Sequence, residues 1–163
     1  MDWFPLINSL RIALISTLIT FLLGIFTAYY IAKLPRVIKG TLDVILTLPL
    51  VLPPTVVGFF ILKIMGPKGV IGSPLLEWFG IKTVMTWYSA IFATVVVTFP
   101  LMYRTARGAF EAFDVNLKYA GQTLGLSNTY IFWRIMMPVC KQGILAGAVL
   151  SFARALGEFG ATN

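Results

Sequence analysis

Apolar residues in this chain run in long unbroken blocks, without the short alternation of a half-buried strand or a soluble amphipathic helix. The first, Ile12–Ala32 ("IALISTLITFLLGIFTAYYIA"), carries no charge and is long enough to cross about 30 Å of hydrocarbon. Val44–Leu62 and Thr83–Tyr103 repeat the pattern, and Val139–Leu156 does so less cleanly, with Lys141 and Arg154 flanking its apolar middle. Backbone groups in lipid must pair within their own segment, so the blocks predict helices. The spans are placed at about residues 9–32, 41–64, 84–107 and 139–157 of a single transmembrane domain, 1–163. A signal peptide does not fit the first block: it is too long, no basic segment precedes it, and no A-x-A site follows.

The second block is interrupted. "LPLVLPPTVVGFF" places Pro49, Pro53, Pro54 and Gly58 in one apolar run. Each internal proline removes a helical hydrogen bond, and such breaks in membranes line cavities or transport pathways. These residues, with the hydroxyl of Thr55, are therefore pathway candidates; an ordinary proline kink is the alternative. In the fourth block Arg154 and Glu158 lie one turn apart and can pair. Ionisable residues at that depth mark a pathway, a gate or an internal ion pair, or Arg154 snorkels outward. Gly143, Ala146 and Gly147 form a small-residue stripe suited to helix packing.

Between the third and fourth blocks lies "KYAGQTLGLSNTYIFWRIMMP", Lys118–Pro138. It is too polar to span. Asp114 is placed to cap a helix from Val115 to about Leu124, with Gly125 at its C′ position. Ser127 caps a second helix, with Leu126 and Ile131 at the staple positions, and Pro138 is expected to end it. That second helix carries Tyr130, Phe132 and Trp133 beside Arg134. On residues alone, a connector resting at the headgroups and a helix that docks in a partner's groove both remain open.

Composition agrees with a membrane class: 58% of the 163 residues are apolar and 12% charged, with mean hydropathy +0.88. There is no histidine, and Cys140 is alone. That excludes an internal disulfide and leaves little for Cys/His metal sites or acid–base catalysis. No catalytic, metal or cofactor site is predicted. The net charge of +7 is read as topology, with membrane lipid and no nucleic acid as its partner. Lys33, Arg36 and Lys39 follow the first span; Arg104, Arg107, Lys118, Arg134 and Lys141 lie between the third and fourth. This more basic side is expected to be cytoplasmic, leaving the N-terminus outside. The segment 66–82 becomes an external loop, with Trp78 and Trp87 at the interface.

The stretch 114–138 resembles the EAA loop of bacterial ABC-importer permeases, whose pattern is E-A-A-x-x-x-G, nine residues, then I-x-L-P. Tyr119–Ala120–Gly121 stands at the E-A-A place, Gly125 at the glycine, and Ile135-x-Met137–Pro138 at the end. Tyr119 replaces the glutamate, Gly121 an alanine and Met137 a leucine. "LPLVLPPTVVGF", the following "GPKGVIG" and "FARALGEFGAT" are similar to molybdate permeases of the molybdate/tungstate and sulfate group. The resemblance implies an all-α, polytopic bundle of the molybdate/methionine-importer type in the inner or plasma membrane, with one or two further spans beyond residue 163. By it the chain is a transport subunit and not an enzyme. It would act in a homodimer with cytoplasmic ATP-binding subunits and an extracytoplasmic molybdate-binding protein. The ATPase-coupling residues would be Tyr119, Ala120, Gly121 and Gly125, then Ser127, Tyr130, Phe132, Trp133, Arg134 and Pro138. Sulfate or tungstate are alternative cargoes, and a stand-alone channel or scaffold is the alternative of another class.

Overall fold

The computed structural model describes residues 3–80 and 86–160, and all regular structure among them is helical. Eight α-helices follow in order: α1 (Phe4–Ala32), α2 (Arg36–Val51), α3 (Pro54–Met65), α4 (Gly72–Phe79), α5 (Trp87–Glu111), α6 (Val115–Thr123), α7 (Asn128–Ile131) and α8 (Met137–Gly160). A π-helical turn, Phe132–Met136, joins α7 to α8. The segment Asn128–Glu158 is thereby one helix of 31 residues; it, α1 and α5 are each long and apolar enough to cross a membrane.

The core is α5 held between α1 and α8, with α2 along its C-terminal half. Small residues make this close approach possible, because lipid offers no hydrophobic drive to push helices together. On α1 the buried stripe includes Ala13, Ser16, Thr20, Gly24 and Ala28, one step per turn. A Cβ on Gly24 would lie 2.6 Å from Met102 Cγ, and one on Gly147 would lie 3.0 Å from Met102 Sδ. Met102 is fully buried between the two glycines. Gly143 meets Ala109 in the same way, and the Cys140 thiol donates to the Ala109 carbonyl at 3.3 Å. The small-residue stripe of α8 is thus a packing surface against α5.

Hydroxyls lie inside this bundle. Thr98 donates to the Thr94 carbonyl at 2.7 Å, so its oxygen is left to accept from the Thr20 hydroxyl at 3.1 Å. Leu18, Leu22 and Leu23, about half exposed or more, face outward from α1, as a lipid-facing surface requires.

The second predicted span is not one helix. Leu52 and Pro53 each precede a proline and are forced to extended backbone, with ψ of 143° and 142°. Helix α2 ends there, Pro54 opens α3 in the first turn where its missing N–H costs nothing, and the two axes differ by 108°. Pro49 is accommodated inside α2. In the segment expected to be an external loop, α4 forms after a tight turn closed by Gly69 N–H to Gly66 O. The predicted start of the third span, residue 84, lies outside the described residues, and α5 is described from Trp87.

Candidate functional site

Helix α6 and the start of α7 form the polar segment at the end of the bundle where α1 and α5 finish and α8 begins. The Asp114 carboxylate accepts from the Asn116 N–H at 2.9 Å, and the Ser127 hydroxyl from the Tyr130 N–H at 3.2 Å. Both caps stand where the sequence placed them. Between them the Leu126 N–H reaches the Gly121 carbonyl and the Gly125 N–H the Gln122 carbonyl. This paired closure of a helix C-terminus needs a left-handed residue at C′, and Gly125 supplies it at φ +77°. Gln122 Nε2 donates to Asn128 Oδ1 at 3.0 Å across the turn. Gly121 is buried, and a Cβ on it would meet Ile131 Cγ1 at 3.0 Å. The volume of Ile131 therefore accounts for a glycine where the resembled pattern carries an alanine.

One expectation for this segment is corrected, and a second residue is placed differently from its neighbours. Pro138 does not separate the second helix from the last span. A proline has no N–H and crowds the carbonyl four residues back; a π-turn preceding it, in which the Met137 N–H reaches the Phe132 carbonyl, absorbs both defects. The helix passes through unbroken. Phe132 is 6% exposed and packs against Tyr29, with ring centres 4.4 Å apart, and near Phe110. It anchors the segment to α1 and α5. The outward-facing residues are Tyr119, Ala120, Gly125, Ser127, Tyr130, Trp133, Arg134 and Pro138.

Behind this segment lies a charge clasp that no local pattern indicated. Lys39 Nζ is 2.6 Å from Glu111 Oε1. Arg107 pairs with Asp43 and, one turn along its own helix, with Glu111 at 3.1 Å; it also reaches the buried Tyr103 hydroxyl at 3.5 Å. Opposite charges thus alternate across the α2–α5 seam. In the sequence these residues were basic loop charges or went unremarked. Their four-residue spacings, Lys39 to Asp43 and Arg107 to Glu111, were the available signal that one face of each helix is charged.

The pathway candidates are dispersed. Pro53, Pro54 and Thr55 are exposed at the α2–α3 break, and Pro49 and Gly58 are half-buried. Arg154 is exposed and Glu158 half-buried on α8; the ion pairs among the described residues all belong to the α2–α5 clasp, so the two do not pair. Trp78 is exposed, and Arg11 sits over the Trp87 ring, 5.9 Å from its centre.

A family model described as "Binding-protein-dependent transport system inner membrane component" matches residues 5–162. The chain belongs to this family. Its helices, long and apolar enough to span, make it a multi-pass membrane protein of the inner-membrane component type. It is 44% identical over 161 residues to the molybdenum transport system permease protein ModB of Escherichia coli (strain K12), covering 99% of this chain and 70% of that protein. With ModB of Haemophilus influenzae it shares 44% identity over 154 residues, 94% of this chain and 67% of that protein. A sulfate transport system permease protein, CysW of Synechococcus elongatus, is 35% identical over 155 residues, 95% of this chain and 54% of that protein. As an inner membrane component, the chain is a transport subunit.

Proposed function

We propose that the chain is the membrane-spanning subunit of an ATP-driven importer and carries molybdate by alternating access. The observation that carries this reading is the continuity of the Ser127-capped segment with α8: a helix exposed at one end runs unbroken into the bundle. A partner ATPase gripping α6, Tyr130, Trp133 and Arg134 would move α8 directly. Because α8 packs on both α5 and α1, that motion is transmitted as a rigid-body displacement. The bend at Leu52–Pro53 lets the α2–α3 segment follow without distorting a long helix, and the residues around it line the route in this reading. Arg154 and Glu158, near the opposite end of α8, remain gate candidates.

The orientation proposed is N-terminus outside with the α6–α7 segment cytoplasmic, since Lys33, Arg36 and Lys39 after α1, with Arg104, Arg107, Lys118, Arg134 and Lys141 from the end of α5 to the start of α8, make this the more basic side. A second copy, two ATP-binding subunits and an external molybdate-binding protein complete the assembly. Molybdate is favoured by the two molybdenum permeases at 44% identity; the sulfate permease at 35% keeps sulfate as the second reading. The test is labelled molybdate uptake in a strain lacking its own molybdate permease, with the subunit and its ATPase supplied, and sulfate and tungstate as competitors. Uptake that needs the subunit and resists excess sulfate is expected. Sulfate uptake in preference selects the second reading, and uptake of neither ion rejects the importer.

A further inference from the structure

At the same end of the bundle a groove of about 290 Å³ opens between the last turns of α1 and the start of the α7–α8 helix. Its floor is the buried ring of Phe132 against Tyr29. Lys33 Nζ stands over the Tyr29 ring at 3.6 Å from its centre, and no carboxylate among the described residues pairs with it. Beside it on the facing helix are the side chains of Asn128 and Thr129. Asn128 Oδ1 already accepts from Gln122 Nε2, which leaves Asn128 its amide N–H groups to donate. An ammonium, an amide and a hydroxyl make a set of donors with one positive charge and no competing anion.

The rest of the groove is apolar and leads along the bundle. Phe26, Tyr30 and Trp133 are 44%, 64% and 53% exposed, and the outward leucines Leu22 and Leu23 continue the path deeper along α1. A free oxyanion would use only the donors. A ligand that satisfies both halves has a phosphate at one end and hydrocarbon at the other. We propose that this groove binds the phosphodiester headgroup of an anionic glycerophospholipid, with Lys33, Asn128 and Thr129 holding the phosphate and Phe26 and Tyr30 of α1 flanking the first methylenes of an acyl chain, while Trp133 at the rim reports on the occupant. Basic pockets between membrane helices recognise such headgroups. A zwitterionic lipid is the poorer occupant, because its ammonium would enter beside Lys33 with no carboxylate to meet it. A lipid there touches both α1 and the helix start, and so steadies the joint at which the exposed segment meets the bundle.

The test uses the full chain in nanodiscs, with Trp3, Trp78 and Trp87 replaced by Phe so that only Trp133 fluoresces. Brominated phosphatidylglycerol, diluted into phosphatidylcholine, is expected to quench Trp133 about five-fold more effectively than equally brominated phosphatidylcholine, the ratio one lysine supplies at an anionic surface. Lys33→Ala is expected to erase the preference, Lys33→Arg to keep it, and Lys118→Ala, at the same end but outside the groove, to leave it unchanged. Native mass spectrometry of the unaltered-tryptophan chain gives the same comparison as retained phosphatidylglycerol adducts that Lys33→Ala loses. Equal quenching by both lipids, or a preference that survives Lys33→Ala, overturns the site. Lys33-dependent binding of glycerol 3-phosphate, with no difference in quenching between the two lipids, overturns the lipid as occupant in favour of a soluble phosphate.

Discussion

Lys39 Nζ stands 2.6 Å from Glu111 Oε1, joining the first turns of α2 to the last turn of α5 across 72 residues of sequence. Each charge is at the unfavourable end of its own helix: a cation near an N-terminus and an anion at a C-terminus oppose the backbone dipoles. The pair offsets two local penalties at once. Removing either partner alone therefore relieves one penalty while it breaks the bond. Lys39→Ala and Glu111→Ala are each expected to change stability by less than about 1 kcal/mol, with a coupling of about 0.5 kcal/mol visible only in the double-mutant cycle. Thermal unfolding of the four variants in mild detergent measures it; additive single effects would remove the pair as an interaction of consequence.

Arg107 behaves differently because it serves several acceptors at once. Its side chain is 16% exposed and joins Asp43, Glu111 and the Tyr103 hydroxyl. Arg107→Ala leaves two carboxylates facing each other across the α2–α5 seam, and a loss of about 2 kcal/mol is expected, the scale of charge-assisted hydrogen bonds with stranded partners. Arg107→Lys should recover only part of it, since an ammonium lacks the planar fork that meets more than one acceptor. Equal stability of the Lys and wild-type chains would reduce the site to simple charge.

The exposed segment separates docking from anchoring. Trp133→Ala and Tyr130→Ala remove side chains about half exposed and are expected to leave the unfolding midpoint within about 2 °C, for a surface change of under ~0.5 kcal/mol, while lowering co-purification with the ATPase and uptake together. Phe132→Ala empties a buried ring site and is expected to cost about 3 kcal/mol. A Trp133→Ala, Tyr130→Ala double variant that still binds the ATPase and transports would end the docking assignment.

How much of this was readable in advance follows from the range of each interaction. The caps at Asp114 and Ser127 and the left-handed Gly125 are set by residues within a few positions, and they stand where the pattern put them. The break at Pro53–Pro54 is equally local, yet its consequence, a 108° change of direction, depends on what α2 and α3 pack against. The burial of Phe132 against Tyr29 was not legible, because an aromatic beside Trp133 and Arg134 has the same local signature whether it faces outward or inward. Pro138 was misjudged because the π-turn that absorbs it is a choice of the whole helix, held by packing of Cys140 and Ile144 on α5. The clasp joins residues far apart in sequence, and only the pairing of α2 with α5 brings them together.

Gly125 and Gly24 test two different uses of glycine. Gly125 has open space around it but a φ of +77°, so Gly125→Ala is expected to cost about 1 kcal/mol in backbone strain, with Gly125→Asn milder. Gly24 is an ordinary helical residue with Met102 against it. Gly24→Leu forces α1 off α5 and is expected to cost about 1–3 kcal/mol through overpacking. Gly157→Leu, with no neighbour within 4 Å of its added Cβ, should be tolerated. Comparable losses at Gly24 and Gly157 would show that the α1–α5 contact is looser than the geometry states.

The hydroxyls inside the bundle are not equivalent either. Thr20 donates to Thr98, and that bond crosses from α1 to α5 where no water competes. Ser16, one turn earlier on α1, is fully buried and its hydroxyl finds no partner among the described residues. Thr20→Val keeps the volume and loses the bond, with an expected cost of about 0.6 kcal/mol, the average for such bonds between membrane helices. Ser16→Ala removes an unsatisfied polar group, which in a buried site costs about 1–3 kcal/mol to keep, so this variant is expected to unfold at the same temperature as the parent or higher. Only one turn apart, one substitution is expected to lower stability and the other is not. A Ser16→Ala chain that unfolds at lower temperature than the parent would mean that Ser16 bonds to a group or a water inside the bundle.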